Sequence, residues 1–173
     1  MTNNKVIVSI MNPKPSERFS SLSSIKKFDK FTLALHSAKS TYDQNEPIQI
    51  WATLSCEGDE KAAILDGSPM LSFSIEDQDG IREGGYMTAS AIQSELTAGN
   101  QVMNDLPLHS IADSNFRKSG MTDRDAFWEH ANENQALLPP GTYIIQVYTS
   151  FLKGEGLQQQ QSETTQLQIN VKR

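Results

Sequence analysis

Pro47-Ile-Gln-Ile-Trp-Ala-Thr-Leu-Ser55 sets Ile48, Ile50, Ala52 and Leu54 against Gln49, Trp51, Thr53 and Ser55. A period of two puts one set of side chains on a buried sheet face and the other set opposite. Upstream, Phe31, Leu33 and Leu35 alternate in the same way with Thr32, Ala34 and His36. Both stretches read as strands with one face in a core. The polar run Lys39-Ser-Thr-Tyr-Asp-Gln-Asn-Glu46 joins them, and its Asp43 and Asn45 suit turn conformations.

Working outward, Leu71, Phe73 and Ile75 predict a third strand, ended by Asp77-Gln-Asp-Gly80. The Asp-Gly pair supplies the positive φ of a tight hairpin, so a partner strand is expected from about Ile81 to Met87. Pro139-Pro-Gly141 opens a strand from Thr142 to Phe151, and Thr164 to Val171 forms another with Leu167, Ile169 and Val171 on one face. The intervening Lys153–Glu163, with two glycines and four consecutive glutamines, reads as a flexible hairpin loop.

The middle is less regular. Ala89–Leu96 reads as strand or short helix and Leu106–Ile111 as a short strand. Thr122–Asn134 has helix signals: Thr122 as N-cap, Asp123 and Asp125 in the first turn, and an apolar stripe of Phe127, Trp128 and Ala131.

The predicted fold is mainly β, an immunoglobulin-like antiparallel β-sandwich with one short helix in an inserted connection. Residues 1–30 are expected to form an N-terminal arm or an added edge strand, and residues 31–173 a single sandwich domain with an irregular insertion over about 88–138. Within the arm, Val6–Met11 reads as a strand, and Asn12–Ser24 is rich in proline and serine and lacks a period.

Charge narrows the partners. Fifteen basic against twenty-one acidic residues give a net charge of −6, a global field that opposes a grip on the phosphate backbone. No nucleic-acid partner is expected. Lys26, Lys27 and Lys30 form the densest basic cluster, and with Asp29 interrupting it this reads as a solvated approach to the first strong strand.

The single cysteine, Cys56, excludes an internal disulfide and reads as a structural thiol. No run reaches the roughly eighteen apolar residues of a membrane span, and Val6–Met11 is too short for a signal peptide. The expected location leans to the cytoplasm, with a processed extracytoplasmic form as the alternative.

Catalytic and metal motifs are fragmentary. Asp77-Gln-Asp-Gly80 contains part of a calcium loop but lacks its later acidic ligand, and is explained by the hairpin. Asp125, Glu129, His130 and Glu133 read as a solvated helix face. Ser23-x-x-Lys26 stands without the companion motifs of a serine nucleophile. No cofactor and no metal are expected. The candidate binding residues are the aromatic side chains Trp51, Tyr86, Trp128 and Tyr148. Trp51 and Tyr148 lie opposite the buried rows, and rim packing is the competing reading for Trp51.

Two segments carry a family resemblance. Tyr42-Asp-Gln-Asn-Glu-Pro-Ile48, preceded by Lys39, is similar to the Lys-x-x-Tyr-x-x-Gly-Glu-Pro-Ile entry into the second strand of bacterial immunoglobulin-like domains, including the intracellular proteinase inhibitor family. Asn45 stands where that pattern has glycine and also accepts a left-handed conformation. Leu138-Pro-Pro-Gly-Thr-Tyr143 resembles the turn that opens a late strand in the same group. There the tyrosine is expected to point inward, with its hydroxyl on backbone, as in a tyrosine corner.

With no complete catalytic motif, the expected function is a non-enzymatic module with a protein partner, and the resemblance makes proteinase inhibition its most concrete form. Thr88–Leu138 departs from the compact inhibitor pattern, so no inhibitory residue carries over. Two other functions stay open: a carbohydrate- or small-ligand-binding domain of a surface or periplasmic system, and a hydrolase with a fold-assembled site around His109, His130 and the acids of the helix.

Overall fold

The protein is described by a computed structural model covering residues 18–44, 46–58, 62–80, 82–84, 88–107, 122 and 138–173. In chain order the strands are β1 (Leu22–Phe28), β2 (Phe31–Ser37), β3 (Thr41–Asp43), β4 (Ile50–Cys56), β5 (Ala62–Asp77), β6 (Arg82–Gly84), β7 (Thr88–Leu96), β8 (Gln101–Asp105), β9 (Gly141–Lys153) and β10 (Gln159–Lys172). They form two sheets: β1-β2-β4-β8, and β3-β10-β9-β5-β6 with β7 beside the first half of β5. Every pairing is antiparallel except that of β3 with β10.

The alternating rows of the sequence are the rows that meet between the sheets. Leu33 and Leu35 of β2 with Ala52 and Leu54 of β4 pack in one buried cluster with Phe73 and Ile75 of β5, Ile145 and Val147 of β9, and Leu167 and Ile169 of β10. Each large apolar side chain buried this way contributes roughly 1.5–3 kcal/mol, which is why pattern alone places these strands. Cys56 lies in the same cluster and is free and buried.

One end of the sandwich is closed by aromatic rings. Phe31 contacts Phe28 at 5.7 Å between centroids and Phe151 edge-on at 4.9 Å, favourable ring geometries beyond their area alone. Lys153 lies over the Phe31 ring at 5.7 Å and forms an ion pair with Asp29, tying one sheet to the hairpin turn of the other. Asp29 holds that turn at φ 50°, a left-handed conformation that aspartate tolerates.

At the opposite end Tyr42 is fully buried. Its hydroxyl donates to the Gln49 carbonyl at 2.9 Å, accepts the Lys39 amide at 3.3 Å and lies 2.8 Å from Ser37 Oγ. Tyr143 is also buried and donates to the Pro139 carbonyl at 2.7 Å, the contact expected of a tyrosine corner.

The structure corrects several boundaries. Gln159–Glu163 is strand, leaving only Gly154–Gln158 as the connection, with a 3-10 turn at Glu155–Leu157. These polar residues gain their order from continuous pairing with β9. The Lys26–Lys27 stretch is likewise strand β1, an edge paired along its length with β2. Ala89–Leu96 lies in strand β7. Of the short strand expected at Leu106–Ile111, Leu106 and Pro107 are not strand and residues 108–111 lie outside the described residues. A strand that the pattern did not announce, β8 at Gln101–Asp105, precedes them, because the turn at Thr97–Asn100, with Gly99 at φ 82°, returns the chain to β4. The Asp77–Gly80 turn forms as read: Gly80 has φ 73°, its amide donates to the Asp77 carbonyl, and Asp77 Oδ1 accepts the Asp79 amide at 2.9 Å. The predicted helix over Thr122–Asn134 lies outside the described residues apart from Thr122.

Beside the bulge in β5 the pairing with β9 jumps from Asp66 opposite Phe151 to Leu71 opposite Thr149. Both Asp66 and Thr149 are buried, and neither Asp66 Oδ1 nor Thr149 Oγ1 has a hydrogen-bond partner among the described residues. Burial pushes the Asp66 carboxyl above its usual range, since desolvation disfavours the charged form.

Candidate functional site

The outer face of the β1-β2-β4-β8 sheet carries one cross-strand row of chemical interest. Its register sets Ser23 opposite His36, His36 opposite Trp51, and Trp51 opposite Asp105. Adjacent strands lie about 4.8 Å apart, so the row spans some 14 Å. Alternation had placed Trp51 away from the core. It does point away, yet it is only 5% exposed, because the outer face has its own covering layer.

His36 stacks on the Trp51 ring with centroids 5.4 Å apart and planes inclined by 24°. The Arg18 guanidinium sits over the same ring, 5.5 Å from its centroid, within cation–π range. Arg18 also pairs with Asp105, through Oδ1 and through Oδ2 at 3.4 Å. The indole is thus covered by an imidazole and by a guanidinium anchored from the adjacent strand, β8.

Beside this layer opens a groove of about 730 Å³, lined among others by Arg18, Phe19, Lys39, Ile48, Trp51 and Leu106. Phe19 stands at its rim 82% exposed. Lys39 pairs with Glu46, and Glu46 Oε2 also accepts the Asp43 amide at 3.3 Å. The hydrogen bond from Lys39 holds the Glu46 carboxyl below its ordinary range and raises the Lys39 ammonium in turn.

Ser23 Oγ lies 2.8 Å from His36 Nδ1. This is the contact between a nucleophile and its base, but such a pair acts efficiently when a third group orients the imidazole. The carboxylate of the row, Asp105, is engaged by Arg18. Among the described residues no group of three or more His, Cys, Asp or Glu side chains gathers at a metal-binding spacing, and no helix is long and apolar enough to cross a membrane.

Burial lowers the His36 pKa, so the folded protein favours the neutral ring. The unfolded chain then binds more protons below the ordinary histidine pKa, and stability falls as pH drops from about 7 through the folded value. His36→Gln is expected to remove that component. The difference in Tm between pH 7.5 and pH 5.5 should shrink in the variant, and an unchanged difference would show that His36 does not carry it.

The other sequence-predicted residues lie elsewhere. Tyr148 is 37% exposed on the outer face of the second sheet, the side of the sandwich opposite to Trp51. Tyr86 and Trp128 lie outside the described residues, as do His109 and His130. Sequence reasoning missed Arg18 and Asp105, which are 87 positions apart. No local spacing announces such a pair; only the strand order brings them together.

No family model matches the chain, and no curated protein matches it in sequence. Among solved structures, a β-glucosidase from Erythrobacter marinus is 15% identical with a TM-score of 0.41, the alignment covering 82% of this chain and 15% of that one. The sporulation control protein Spo0M from Bacillus subtilis is 13% identical with a TM-score of 0.32, over 84% of this chain and 51% of that one. The chain therefore spans 15% of the glucosidase's length and about half of Spo0M's. Likenesses of this degree carry no function across.

Proposed function

We propose that the chain is a non-enzymatic protein-binding module that receives an exposed segment of a partner in the groove beside Trp51, with proteinase inhibition as the most concrete form. The observation that supports this is the make-up of the groove. An arginine stacked on a tryptophan adjoins a phenylalanine that is 82% exposed, and these residue types are enriched in protein interfaces. The resemblance of Lys39–Ile48 to the entry strand of the inhibitor family points the same way, since that segment forms part of the groove wall.

A panel of serine, cysteine and metalloproteases titrated with the protein tests the reading. Trp51 emission is followed in a Trp128→Phe background, these being the two tryptophans of the chain. Phe19→Ala with Arg18→Ala is expected to weaken inhibition at least tenfold, about 1.4 kcal/mol or more. Inhibition that survives the double change unaltered overturns the groove as the contact. Inhibition of no protease removes the inhibitor form, and turnover of a peptide or ester by the chain itself overturns the non-enzymatic reading.

A further inference from the structure

The second sheet turns an unusual face outward. Along β9 every odd-numbered side chain from Tyr143 to Phe151 is buried, and along β10 every odd-numbered one from Thr165 to Val171. The even-numbered residues of Thr142–Leu152 and Gln160–Asn170 therefore share the outer face, paired in register across the ladder. None of these positions is charged, in a chain that is 21% charged. They are amides, hydroxyls, two aliphatic side chains and one aromatic ring, Tyr148, near the middle.

That ring is held down. Tyr148 springs from β9, yet its hydroxyl lies 3.5 Å from Ser162 Oγ on β10, and Ser162 is braced by Ser150 at 2.9 Å. A ring rooted on one strand with its tip near the next leans across the ladder, and it is 37% exposed. Around it Ser150, Ser162, Thr164 and Gln166 supply neutral donors and acceptors. At about 3.4 Å per residue the face runs for roughly 30 Å along the strands.

We infer that this outer β9–β10 face binds a neutral polysaccharide chain, with Tyr148 as the stacking platform and the flanking hydroxyl and amide side chains as its hydrogen-bond partners. Sugar rings combine an apolar C–H face, which stacks on an aromatic ring, with hydroxyls that need uncharged donors and acceptors. Other occupants fit less well. A nucleic acid or an anionic membrane calls for lysine and arginine here, and the core of a protein interface calls for more apolar area than one tyrosine and two half-buried aliphatic side chains provide. The inference is independent of the groove beside Trp51, which lies on the opposite face.

Affinity electrophoresis and calorimetry with hydroxyethyl cellulose, xylan, galactomannan and soluble starch, with polygalacturonate as the anionic comparison, test it. The wild-type protein is expected to bind at least one neutral polymer, equally at low and high salt. Tyr148→Ala should weaken that binding at least tenfold, and Gln166→Glu should weaken it as well. Both positions are exposed, so thermal melting should show both variants folded, and Arg18→Ala should bind as the wild type does. Retention by none of the neutral polymers, equal retention of Tyr148→Ala, or retention only by polygalacturonate that fades with salt would each overturn the inference.

Discussion

Phe31→Ala is expected to lower the unfolding free energy by about 3–5 kcal/mol, the usual cost of emptying a buried aromatic site. Phe31 is 1% exposed, packs between Phe28 and Phe151, and lies under the Lys153 ammonium that reaches Asp29. Removing the ring therefore opens a cavity and loosens the link between the two sheets at that end. For a chain of this size such a loss lowers Tm by roughly ten degrees. Urea unfolding of the variant against Phe28→Ala separates the effects, since Phe28 is only partly buried and its loss should cost clearly less. Equal losses, or a Phe31→Ala loss under about 1 kcal/mol, would show that the sheets are not joined through this ring.

Tyr42→Phe keeps the ring and deletes one oxygen, and should still cost about 1–3 kcal/mol, because buried partners lose their bond. The Gln49 carbonyl keeps the Ala38 amide and Ser37 Oγ keeps the Lys39 carbonyl, so the Lys39 amide bears most of the loss. The hydroxyl also positions the short strand β3 against β10, where Ser40 accepts the Asn170 amide and Lys172 accepts the Gln44 amide. Hydrogen exchange should accelerate at Asn170 and Gln44 in the variant while β9 amides stay protected. Uniform acceleration would instead report global destabilisation without a local role for the hydroxyl.

These two sites also show what the sequence reveals and what it conceals. Leu33, Leu35, Ile50, Ala52, Leu54, Leu71, Phe73 and Ile75 are legible because a strand with one buried face must alternate. The turn at Asp79-Gly80 is legible because few residue pairs satisfy its backbone, and Tyr143 because the preceding Pro-Pro-Gly aims the chain. By contrast β1, β8 and Gln159–Gln161 bury few or no side chains of their own. Their order comes from neighbouring strands, and a pattern of burial cannot announce pairing. The site obeys the same division. Alternation correctly turned Trp51 off the core, but its covering by Arg18 and His36 depends on strand order and on a segment without a period.

The parallel pairing of β3 with β10 joins Thr41–Asp43 to Asn170–Lys172, the ends of a loop that takes in most of the molecule. Such distant closures make folding slow. During synthesis the sheet of β1, β2, β4 and β8 can assemble once β8 has left the ribosome, with β5, β6 and β7 of the second sheet already made, but its inner rows lack the side chains Ile145, Val147, Leu167 and Ile169 until β9 and β10 follow. The nascent chain therefore passes through a stage with a half-covered greasy surface, a natural target for chaperones, and β10 is the strand whose arrival ends that exposure.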